Sequence, residues 1–60
     1  MHITISFNTK NSAFEGYFAE EVHYIMEQAT KIIFENRETF RHLIDSNGNK
    51  VGELVCLSDN

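Results

Sequence analysis

Three groupings in this sequence hold residue types that support chemistry. Glu20, His23 and Glu27 stand three and four apart, which places them on one side of a helix. Glu-x-x-His is the spacing of di-iron bundles, but those sites need two such motifs and further carboxylates, all pointing inward. Here the three residues lie away from the apolar positions of their segment, so a solvated helix face explains them. Cys56 is the second candidate. A nucleophilic thiol needs a lowered pKa and an adjacent base. His42 stands across a hairpin from it, with no third group to orient the imidazole and no oxyanion-hole motif. A cysteine at an alternating strand position reads as a small buried hydrophobe. The third grouping is Asp45-Ser46-Asn47-Gly48-Asn49, whose oxygens suggest a calcium loop. An EF-hand loop has glycine at position six and Glu at position twelve. Counted from Asp45, glycine falls at position four and position twelve is Cys56. Turn chemistry explains the run instead. There is no nucleophile elbow, phosphate-cradling loop or zinc spacing. The expectation is a chain without catalytic residues, metal or cofactor, and therefore not an enzyme.

Composition narrows the classes further. Sixty residues allow one domain, spanning 1–60. A chain of this size buries only about 60% of its unfolded surface. Small domains need a staple: disulfides, a metal or a second copy. Cys56 is the only cysteine, which excludes a disulfide within the chain and suits a reducing cytosol. Self-association remains as the favoured staple. Nine acids against five bases leave a net charge of −4, which argues against direct nucleic-acid binding through a basic patch. An acidic surface suits a basic partner site. No apolar run approaches the roughly 18 residues that span a bilayer, and Met1-His2-Ile3-Thr4 lacks the character of a signal peptide. A cytoplasmic chain with no membrane partner is expected.

The elements follow from periodicity. From His2 to Asn8, Ile3, Ile5 and Phe7 alternate with polar residues, the signature of a half-buried strand. Ser12-Ala13-Phe14-Glu15 has the form of a capping box but is followed by Gly16, so a short turn is predicted at 12–16. Phe18, Val22, Ile25, Met26, Ala29, Ile32 and Ile33 form one apolar stripe. This predicts a helix from about Tyr17 to Asn36, with Asn36 as its C-cap. Asn47-Gly48 between two apolar runs predicts a hairpin with strands Phe40 to Asp45 and Lys50 to Leu57. A two-residue turn would pair Ile44 with Val51. A type I turn from Asp45, with Gly48 left-handed, would pair Leu43 with Val51 and Arg41 with Glu53. The second is preferred because Asp favours the first position of that turn. The predicted fold is α+β, in the order β-α-β-β. One helix packs on a three-stranded, mainly antiparallel sheet with the third strand central.

In that register Leu43, Val51, Val55 and Leu57 share one face, and Phe40, Ile44, Leu54 and Cys56 share the other. One helix covers one face, and an antiparallel sheet with one covered face is normally polar on the other. A surplus apolar face marks an interface. The expectation is a homodimer with two-fold symmetry, using Phe40, Ile44, Leu54 and Cys56, with Phe34 off the helix stripe. Alternatively, the loop carrying Phe14 and Tyr17 folds back over that face. Glu20, Glu21, Tyr24, Glu27 and Tyr17 are the candidate partner-binding residues, because tyrosine is enriched in binding hot spots.

Asn11-Ser12-Ala13-Phe14-Glu15, Ala19-Glu20-Glu21-Val22, Ile25, Ala29 and Leu43-x-Asp45-x-Asn47-Gly48-Asn49-x-Val51-Gly52 together resemble a group of very small phage-encoded accessory proteins. The resemblance spans most of the chain, and the hairpin run is its more distinctive part. Gly16-Tyr17-Phe18 and the aromatic content depart from the group. The resemblance implies a phage protein made in the cytoplasm of an infected bacterium. It also implies an inhibitor of a host defence protein, similar to homodimeric inhibitors of the Hachiman system, with a nuclease or helicase component as target. The alternative expectation is a structural or self-assembly module of a phage with no inhibitory role.

Overall fold

The computed structural model describes residues 1–35 and 37–59. The strand β1 (His2–Phe7) leads through a 3-10 turn (Ser12–Phe14) into the helix α1 (Phe18–Glu35), followed by the strands β2 (Thr39–Ile44) and β3 (Lys50–Leu57). The strands form one sheet in the order β1-β3-β2, with β3 antiparallel to both neighbours. This is the expected α+β architecture. Glu20 and Glu21 lie in the first turn of α1, where acidic groups complement the helix dipole. The C-cap expected at Asn36 lies outside the described residues.

The hairpin turn is the one anticipated. Gly48 N–H donates to the Asp45 carbonyl at 2.9 Å, Asp45 N–H donates to the Asn49 carbonyl at 2.8 Å, and Gly48 holds φ +87°. The register beyond it is not. Ile44 pairs with Lys50, as the turn demands, but Leu43 pairs with Gly52, so Val51 is an extra residue in β3. This β-bulge moves the rest of the ladder by one. Arg41 therefore stands opposite Leu54, and His42 opposite Glu53, which corrects the expected Arg41–Glu53 pair.

The bulge also decides the faces. Ile3, Ile5 and Phe7 pair with Cys56, Leu54 and Gly52, and directly opposed residues share a face. Leu43, Val51, Leu54 and Cys56 are all buried with Ile25, Ala29 and Phe14 in a single core. An unbroken alternation from Val51 to Cys56 would have separated Val51 from the other two. Ile25, Leu43 and Leu54 are completely buried, each contributing about 1.5–3 kcal/mol. Phe14 stacks on Phe7 at 6.4 Å and meets Phe18 at 6.2 Å. The 3-10 turn thus covers the end of the helix-side face rather than the opposite one, while Tyr17 stays in solvent.

The molecule is elongated, 42 × 16 × 16 Å, with a radius of gyration of 12.0 Å. A compact chain of this length would have about 10 Å. The shape leaves a large surface for the chain's size. No helix among the described residues is long and apolar enough to cross a membrane.

Candidate interaction surfaces

The groups with the strongest polar chemistry are spent on holding the fold. Asp45 is fully buried. Its Oδ1 accepts the N–H groups of Asn47 at 3.0 Å and Asn49 at 2.8 Å, and its Oδ2 accepts the Asn11 side-chain amide at 3.0 Å. The Asn49 backbone N–H is the main reason that its carboxyl sits below the usual value; burial opposes this, and Asn11 and Asn47 reinforce it. Both oxygens are therefore engaged inside the chain. No group of three or more His, Cys, Asp or Glu among the described residues is arranged to hold a metal ion.

Glu21 was expected to face a partner, and the structure corrects this. It is buried, with Oε2 accepting the Ser46 N–H at 2.8 Å and Oε1 accepting the Ser46 hydroxyl at 2.7 Å. The helix start is thereby latched to the hairpin turn. A signal for this was present: Glu21 stands four residues before Ile25, on the apolar stripe, where a solvated acid does not belong.

The expected dimer face is not one surface. Leu54 and Cys56 are fully buried under the helix, so neither is available to a second chain. Cys56 pairs with Thr39, and His42 with Glu53, three rows apart along the ladder and on opposite faces, so the thiol and the imidazole are not brought together. Ile44 is half-buried, and its backbone is bound by Gln28. Phe40 and Phe34 are exposed, Phe34 at 90%. What remains on the outer sheet face is the row of Phe40 and Val55, with Leu57 beside it and the His42 ring edge-on to Phe40 at 5.5 Å.

The other expected partner residues stay outside. Glu20, Tyr24 and Glu27 are exposed on α1, and Tyr17 is exposed just before it. His23 is exposed too, as a solvated helix face requires. Tyr24, Glu27, Gln28, Lys31, Ile32 and Glu35 line an open groove of about 250 Å³ along the side of the helix that faces the outer edge of β2. That volume lies below the roughly 300–1,000 Å³ of small-molecule sites. Comparison of the chain with protein families, curated proteins and solved structures finds no match.

Proposed function

We propose that this chain is a protein-binding module that acts by occlusion, without catalysis, and presents the outer side of α1 to its partner. One observation carries the reading. Glu20, Tyr24, Glu27 and Glu35 fall on one side of the helix, and the last three border the groove beside β2. An aromatic anchor flanked by acids around a shallow groove is the form of a surface that meets a basic protein site. The resemblance of the hairpin run supplies the setting: a phage-encoded inhibitor, in the bacterial cytoplasm, of a host defence protein such as a nuclease or helicase component.

The test is a plaque assay on bacteria that carry individual defence systems and express this chain. The reading expects plaquing to recover on one of them, and Glu20→Lys, Glu27→Lys and Glu35→Lys together to abolish the recovery while the chain stays folded. Intact recovery by the triple variant would sink the acidic-face mechanism. A second reading, a self-assembling structural module, draws support from the open sheet edge of β1. It expects no recovery on any strain.

A further inference from the structure

The two edges of the sheet are treated differently. On β2 the outward N–H and C=O of Ile44 are both taken by the Gln28 side chain, and the helix groove runs alongside. On β1 nothing covers the edge. Asn8 donates its N–H inward to the Val51 carbonyl at 3.0 Å. Alternate residues of an antiparallel strand turn their polar groups to the same side. Ser6, Thr4 and His2 therefore face β3, and the N–H and C=O groups of Phe7, Ile5 and Ile3 face outward. No strand and no side chain among the described residues meets them.

The strand also lacks every device that blunts an edge. His2–Phe7 contains no Lys, Arg, Asp, Glu or Pro, and the bulge of this sheet lies in β3, opposite β2. Its helix-side shoulder is apolar: Ile3 is 44% exposed, and Met26 is exposed on the flank of α1 away from Gln28.

We propose that β1 pairs with β1 of a second copy of this chain, antiparallel and about a two-fold axis at Ile5, making one continuous six-stranded sheet with both helices on the same face. The occupant follows from self-complementarity. With Ile5 opposite the partner's Ile5 and Ile3 opposite the partner's Phe7, every outward N–H and C=O of the three residues finds an acceptor or donor. A shift of two residues either way leaves one residue of each copy unpaired, and a shift of one sets apolar against polar side chains. In the centred register the helix-side row is Ile and Phe throughout. The opposite row sets Thr4 against the partner's Ser6, and His2 against the partner's Asn8. Charge points the same way. The chain carries −4, and the acids of α1 border the β2 side, so two like-charged copies meet along their uncharged edges. This inference stands apart from the occlusion reading, because it uses neither Tyr24 nor the acidic residues.

Three measurements test it. Light scattering across a hundredfold dilution is expected to give twice the monomer mass, shifting to the monomer for Ile3→Lys but not for Leu57→Lys on the outer face. Hydrogen exchange is expected to protect the amides of Ile3, Ile5 and Phe7 in the dimer. Separately prepared Thr4→Cys and Ser6→Cys chains are expected to cross-link to each other on mixing and oxidation, because that pair faces solvent and leaves the core untouched even if Ile3→Lys fails to fold. A monomer at all concentrations would overturn the proposal, as would a dimer with those amides freely exchanging. Cross-linking of Thr4→Cys only to itself would overturn the register. Protection that develops only when a different protein is added would assign the edge to that protein's strand instead.

Discussion

The side-chain amide of Gln28 grips both backbone polar groups of Ile44: its Nε2 donates to the Ile44 carbonyl at 2.7 Å, and its Oε1 accepts the Ile44 N–H at 3.0 Å. A helix residue thus takes the place of a neighbouring strand at the edge of β2. Helix and sheet are fixed relative to one another by hydrogen bonds as well as by packing.

Replacing Gln28 with Leu removes both bonds and keeps a similar volume. Water reaches this edge, so the expected loss is about 1–2 kcal/mol rather than the full cost of two buried orphans. Urea unfolding measures it. The Ile44 amide is expected to exchange faster in the variant, while that of Leu54 tracks only the change in global stability.

The Glu21–Ser46 latch is worth more, because its acceptor is a carboxylate in a buried position. Glu21→Ala is expected to cost about 2–3 kcal/mol and Ser46→Ala about 1 kcal/mol, since the second keeps the backbone bond. A double-mutant cycle is expected to return a coupling energy of about 1 kcal/mol. Additivity of the two losses would show that the hydroxyl bond contributes nothing.

Asp45 makes the fold acid-sensitive. Its carboxyl is held below the ordinary 3.8 in the folded chain. A depressed folded value means stability that is fully present above the unfolded pKa and lost as pH falls through the folded one. Unfolding midpoints recorded from neutral pH downward are therefore expected to drop in the region below 3.8. Asp45→Asn, which keeps an acceptor for Asn47 and Asn49, is expected to flatten that decline while lowering stability at neutral pH.

Gly52 admits no side chain. A methyl group there would lie 2.0 Å from the Ser6 carbonyl oxygen and 2.5 Å from the Phe7 Cα. Both are backbone atoms of the adjacent strand and cannot swing aside. Gly52→Ala is expected to exceed the roughly 3–5 kcal/mol that a core of this size supplies. Circular dichroism is expected to show no cooperative thermal transition.

Much of this architecture is local and legible in the sequence alone. Alternation in Ile3, Ile5 and Phe7 marks β1, and the three-and-four spacing from Phe18 to Ile33 marks α1. Asp45 and Gly48 specify the turn by their own backbone preferences. The candidate surfaces were legible only where a residue's exposure follows from its own element. Glu20, Tyr24 and Glu27 sit where the helix period puts them. Glu21 differs from Glu20 in standing on the apolar stripe, four before Ile25, but its partner Ser46 lies far along the chain and is supplied only by the tertiary structure.

What the sequence by itself determined is the set of elements, their order and the chemistry of the turn, because each rests on contacts within a few residues. What only the tertiary structure decided is which side of the hairpin faces the helix. Both Val51 and Leu54 are apolar and stand three apart, so no unbroken strand can bury both. Burying both requires one unpaired residue in β3, and the bulge at Val51 provides it. Its cost in the ladder is offset by core contacts with Ile25, Leu43 and Phe14, which strand periodicity does not contain.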